Sequence, residues 1–113
     1  MRIDRPTPNS ASATRSYPVD PARLLVAVRR AVEGLPRWRL EAQEGDGVRA
    51  VRTTRLLRFK DDVTARVHPE PGGARLELTS ASRLGKGDLG QNPRNLKELA
   101  RAVDREAGGL HGG

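Results

Sequence analysis

Cysteine is absent from the 113 residues, which excludes disulfides, thiolate metal sites and a thiol nucleophile. Aromatics are scarce. Tyr17, Trp38 and Phe59 are the whole set, so the interior has to be built from Leu, Val and Ala. No apolar run approaches the length of a membrane span, and the N-terminus lacks the apolar stretch of a signal peptide, so a soluble, cytoplasmic protein is expected. Lysine is rare as well. Eighteen of the 21 basic residues are Arg, against 14 acidic ones, for a formal net charge of +7. That surplus invites nucleic acid or another polyanion. An Arg-, Ala- and Gly-rich chain is also what a high-GC genome writes with no anion in view.

The length suits one domain. Residues 1–15 mix Pro, Ser, Thr and Arg without an apolar period and read as a disordered arm. Residues 16–107 form the expected domain, and residues 108–113 read as a flexible tail. Asp20-Pro21 opens a helix with a capping side chain and a proline at the first helical position. Leu24, Leu25, Val28, Ala31, Val32 and Leu35 then follow at helical spacing up to Gly34-Leu35-Pro36. A second helix is expected from Asn92-Pro93, with Leu96, Leu99, Ala100, Val103 and Ala107 as its stripe.

Between the helices the period changes to two. Trp38, Leu40 and Ala42 alternate with charged residues, and Glu44-Gly45-Asp46-Gly47 turns the chain. A long strand is expected from Val48 to Phe59, a turn at Lys60-Asp61 and a strand from Asp62 to Pro69. Glu70-Pro71-Gly72-Gly73 then turns into a strand from Ala74 to Ser82. Closing that hairpin at Pro69/Ala74 sets Val67 against Leu76, Ala65 against Leu78, Arg66 against Glu77 and Thr64 against Thr79. Leu40 is expected opposite Val51. Arg55 breaks the parity of Val51, Leu57 and Phe59, which calls for a bulge near Arg55 to Arg58. Trp38 and Phe59 are assigned to the core. The fold class is α+β: a two-layer, four-stranded antiparallel meander, five-stranded if Thr14 to Val19 adds a first strand. Two helices pack on one face, in the order (β)-α-β-β-β-β-α.

Four sets of residues carry chemistry. Arg37, Arg39, Arg52, Arg58, Arg66 and Arg75 are expected on the sheet face away from the helices, as a basic platform or as a solvated face of cross-strand ion pairs with Glu41, Asp62 and Glu77. Asp61 and Asp62 can hold a hard cation or do acid–base work with Asp88, but neighbours on a strand point to opposite faces. The structural alternative has Asp61 capping a turn and Asp62 paired with Arg83. The stretch from Ser80 to Asn92 crosses three glycines into a helix start. Its amides, with Arg83, Lys86 and Arg94, can bind an anion, or it is a connector held by Asp88, Ser80 and Ser82. It lacks the spacing of a nucleotide-binding phosphate loop. His68 and His111 are isolated, so no catalytic set, metal site or cofactor is expected.

Phe59-Lys60-Asp61-Asp62-Val63, the run Ser80-Ala81-Ser82-Arg83-Leu84-Gly85-Lys86-Gly87-Asp88-Leu89-Gly90, and Asn92 and Arg94 after it resemble domain-of-unknown-function family 1499. Its motifs have the forms Phe-x-Asp-Asp and Ser-x-Ser-Arg-x-Gly-x-x-Asp-x-Gly-x-Asn. Tyr17-Pro18, the Trp38 strand and Ala50-Val51 are similar to its pattern, and the resemblance spans about Ser16 to Ala107. It implies a family of bacteria and plastid-bearing eukaryotes with no assigned reaction. It also implies a polar cluster of Asp61, Asp62, Ser80, Ser82, Arg83, Gly85, Asp88, Gly90 and Asn92. A non-enzymatic binding module is therefore expected, with Asp61, Asp62, Ser80, Ser82, Arg83, Lys86, Asp88, Asn92 and Arg94 as candidate ligand-binding residues for an anionic small molecule or a protein. Nucleic acid on the Arg-rich face is the alternative. A metal-dependent enzyme using Asp62 and Asp88 stands behind it.

Overall fold

A computed structural model describes residues 1–84 and 87–110. Eight elements follow in chain order: β1 (Ile3–Asp4), β2 (Ser10–Tyr17), α1 (Pro21–Gly34), β3 (Trp38–Glu44), β4 (Gly47–Thr53), β5 (Lys60–Glu70), β6 (Gly73–Ser82) and α2 (Gln91–Leu110). The strands form one antiparallel sheet in the order β1-β2-β6-β5-β4-β3. α1 packs on the β3–β6 side and α2 on β2 and β6, and the two helices also touch each other. No helix among the described residues is long and apolar enough to cross a membrane.

The helices form where the apolar stripe and the caps dictate. Asp20 accepts a hydrogen bond from the Arg23 amide at 3.0 Å, Pro21 opens α1, and Leu24, Ala27, Val28, Ala31 and Val32 are buried. On α2 the stripe Leu96, Leu99, Ala100, Val103 and Ala107 is buried as its spacing requires. It meets Leu76 and Leu78 of β6 in one cluster with α1. Truncating any of these fully buried leucines to Ala costs about 2–5 kcal/mol.

The β5–β6 hairpin has the expected register: Val67 faces Leu76, Ala65 faces Leu78, Arg66 faces Glu77 and Thr64 faces Thr79. Elsewhere the sheet differs from expectation. It has six strands, because much of the segment read as a disordered arm lies in β1 and β2, with β2 paired along nearly all of β6. Ala11, Ala13 and Tyr17 are buried at period two, but alanine is too small to stand out as a strand signal. β2 ends at Tyr17, short of Val19. α2 runs through Leu110, past Gly108. His111 lies outside the described residues.

β4 stops at Thr53 and does not reach Phe59. The Thr54 amide donates to the Phe59 carbonyl at 2.8 Å, and the Phe59 amide donates to Thr54 Oγ1 at 2.8 Å, closing a loop over residues 54–59. Leu56, Leu57 and Phe59 project into solvent, so Phe59 is not core. Lys60 and Asp61 begin β5 where a turn was expected. The anticipated bulge near Arg55 to Arg58 is this loop. The irregularity in pairing lies between Leu40 and Ala42 of β3, which sets Leu40 against Ala50 and leaves Val51 to Arg39.

Candidate functional site

Strand register decides which motif residues meet. Asp61 of β5 lies across from Ser82, and Val63 from Ser80. Asp61 and Ser80 are buried beside the first turn of α2, where Asn92 and Asn95 are buried too. Asn95 Nδ2 donates to Asp61 Oδ2 at 2.7 Å and to Ser80 Oγ at 3.2 Å. Ser80 Oγ in turn donates to Asn92 Oδ1 at 2.6 Å. Asn92 Nδ2 reaches Asp88 Oδ2 (2.7 Å), the Asn9 carbonyl (2.7 Å) and Ser82 Oγ (2.9 Å). Gln91 Nε2 donates to Asn95 Oδ1 at 2.7 Å. Each buried polar side chain of the lattice has a partner, as the low dielectric around it demands.

Asp88 caps α2, which begins at Gln91, one residue before the expected Asn92-Pro93 start. Its oxygens accept from the Gly90 amide at 2.8 Å and the Asn92 amide at 3.2 Å, and Arg5 Nη2 sits 2.8 Å from both. Burial alone would push its carboxyl up. Hydrogen bonds from Asn92 and Arg5, and from the amides of Gly90 and Asn92, outweigh that and hold it below the usual carboxylate range. Ser80 and Ser82 both bond to Asn92.

The structure thus gathers Asp61, Ser80, Ser82, Asp88 and Asn92, and separates the rest. Asp62 is exposed on the outer sheet face, where Arg83 donates to its carboxylate from Nε and Nη2 at 2.9–3.2 Å. Asp62 and Asp88 are drawn to different arginines, and the described residues contain no group of three His, Asp or Glu able to hold a metal. Arg94 is exposed on α2 and donates to Gln91 at 3.2 Å. Lys86 and Gly85 lie outside the described residues. Arg5, Asn9 and Asn95 were missed. Asn95 lies four residues before Leu99, at the spacing of the apolar face of α2, and a polar residue there was the available signal. Arg5 and Asn9 carried none in a segment read as disordered.

On the outer face, Arg39 pairs with Glu41 at 2.8 Å and Arg66 with Asp46 at 3.8 Å. Arg52, expected there, turns inward: it is 9% exposed, and its Nε lies 3.5 Å from Glu98 Oε1 of α2. The inward turn follows from register. Arg52 pairs with Asp61 and shares the parity of Val48 and Ala50.

Beside the lattice the surface is apolar. Leu56 (88% exposed), Leu57 (67%) and Phe59 (49%) on the 54–59 loop stand near Leu84 (75%) and Leu89 (91%) on the connector into α2. Together they rim a pocket of about 360 Å³, with Asp61 and Ser82 lining it and Arg55 and Arg94 in its wall. Five large apolar side chains in solvent around one concavity are unusual for a chain this poor in aromatics.

No curated protein matches this chain. Its fold is similar to several solved structures. A Rhodobacter sphaeroides protein shares 15% identity at a TM-score of 0.55, covering 96% of this chain and 98% of that one. Ara h 8.0201 shares 14% at 0.53, with 89% and 95% covered. A Thermus thermophilus protein, TTHA0849, shares 16% at 0.50, with 89% and 98% covered. At these identities the likeness is one of fold. Residues 2–103, which include β1, β2 and the whole polar lattice, match the family described as protein of unknown function (DUF1499), and the chain belongs to that family.

Proposed function

We propose that this domain is a non-enzymatic binding module whose site is the apolar mouth between the 54–59 loop and the connector, and that it takes an anion with an apolar body. The observation that carries this reading is the ring of exposed Leu56, Leu57, Phe59, Leu84 and Leu89 around a pocket with Arg55 and Arg94 in its wall. The motif residues support the site from behind. Their hydrogen bonds are directed at one another, so the lattice fixes the connector and the α2 start and leaves ligand contact to the rim. Burying a leucine side chain is worth about 1.5–3 kcal/mol. Two or three of them, less the cost of association, suit a weak affinity near the millimolar range.

A polyanion on the outer sheet face is a weaker reading. Arg39, Arg66 and Arg83 there are matched by Glu41, Asp46 and Asp62. A metal-dependent reaction at Asp62 and Asp88 is weaker still, since each carboxylate is already held by its own arginine.

Anilinonaphthalenesulfonate, itself an apolar anion, tests the site. Saturable fluorescence enhancement is expected, displaced by decanoate better than by decanol and not by citrate. The double variant Leu57→Ser/Leu89→Ser should lose the enhancement with its thermal midpoint unchanged. Equal enhancement by that variant, or none by the wild type, would sink the reading.

A further inference from the structure

α2 carries a second feature, which adjoins the apolar mouth and shares Arg94 with it. Its exposed charged residues Arg94, Lys97, Arg101 and Arg105 are all basic, while its acids Glu98, Asp104 and Glu106 are half-buried. Asp104 is taken up by Arg15 at 2.9 Å and by the Tyr17 hydroxyl at 2.6 Å. At 1.5 Å and 100° per residue the four cations line a stripe about 16 Å long and about 80° wide. They wall a groove of about 540 Å³ together with Leu35, Arg52 and Glu98.

Arg52 adds a fifth cation. It lines the groove and is 9% exposed, with its Nε 3.5 Å from Glu98 Oε1 and its Nη1 donating to the Thr53 carbonyl at 3.3 Å. The acid facing it, Glu98, also accepts from the Trp38 indole, so one carboxylate is shared between two donors. The groove therefore holds five cations against a single engaged anion, and the surplus calls for an extended ligand carrying repeated negative charge.

We infer that this groove binds the backbone of a single-stranded nucleic acid. Successive cations are about 4.5–6 Å apart along the helix. That suits one phosphate per nucleotide of an extended strand better than the tightly linked phosphates of inorganic polyphosphate. Among the described residues no aromatic side chain lines the groove. Base stacking is then absent, and recognition rests on the backbone and ignores sequence.

Fluorescence anisotropy with labelled oligodeoxythymidylate of about 16 nucleotides provides the test. If four phosphates are neutralised, each adding a slope of about −0.7, affinity should fall about fiftyfold between roughly 50 and 200 mM salt. Oligodeoxyadenylate should bind equally well. Arg101→Gln/Arg105→Gln should halve the salt slope, with the thermal midpoint kept, while Arg39→Gln/Arg66→Gln on the outer sheet face should bind as wild type. Three results would overturn the assignment: salt-insensitive or absent binding, an α2 variant that binds like wild type, or tighter binding to duplex DNA, polyphosphate or anionic phospholipid vesicles. Because Leu57→Ser/Leu89→Ser leaves this groove intact, loss of dye binding and loss of strand binding are separable.

Discussion

Arg5 and Asp88 lie 83 positions apart in the chain, yet one Arg5 nitrogen sits 2.8 Å from both oxygens of the Asp88 carboxylate. The same carboxylate caps α2 through the Gly90 and Asn92 amides. A residue just outside the sheet edge thereby clamps the connector that forms one lip of the apolar mouth.

Arg5→Ala should loosen that clamp. Asp88 is 2% exposed in its side chain and Arg5 36%, so solvent screens part of the pair. A loss of about 1 kcal/mol is expected. Urea denaturation reads it, and hydrogen exchange should show faster exchange at the Gly90 and Asn92 amides than in β5 and β6.

Asn95→Ala strips Asp61 of its 2.7 Å donor, and Asn92→Ala strips both Ser80 and Asp88. Each should cost about 1–3 kcal/mol, the expense of leaving a buried polar group unpaired. The two share Ser80, so the double variant should be less destabilised than the sum. Strict additivity in equilibrium denaturation would contradict a connected lattice.

Acid should act partly through Asp88. Its carboxyl is held below the ordinary value, so the unfolded chain binds more protons once pH drops below about 4. Its contribution is complete above that pH and disappears as pH falls through the folded value. Asp88→Asn should be less stable than wild type near neutrality, and the gap should narrow as the medium is acidified below roughly pH 4, followed by urea midpoints.

Gly73 and Gly108 should respond oppositely to alanine. A Cβ on Gly73 would sit 2.0 Å from the Tyr17 carbonyl oxygen, which is backbone and cannot step aside, so Gly73→Ala should cost about 1–3 kcal/mol. A Cβ on Gly108 meets nothing within 4 Å, and in α2 alanine should add about 0.5–1 kcal/mol. Thermal midpoints moving in the same direction would contradict this packing.

What periodicity announces, the structure keeps: both helices, their apolar faces and the residue-by-residue register of the β5–β6 hairpin. A tight turn and alternating Val, Ala and Leu determine those locally. Thr14 to Val19 could be read as a strand, but the first half of β2 escaped notice because its buried residues are Ala11 and Ala13, and strand propensity is faint in residues that gain stability chiefly from the neighbours they acquire. The 54–59 loop escaped because Leu56, Leu57 and Phe59 look like core, and their exposure depends on where Thr54 closes the chain back on itself.

The site divides along the same line. Adjacent carboxylates on a strand must face opposite ways, so Asp61 and Asp62 part company on local geometry alone, and Arg83 falls to Asp62. That Asp61, Ser80, Ser82, Asp88 and Asn92 converge, with Arg5, Asn9 and Asn95 completing the lattice, required β2 to dock on β6 and α2 to pack on both. Short-range chemistry acts between residues a few positions apart and can be read in order. The partners of a buried polar group are chosen by packing between distant segments, and only the folded chain brings those together.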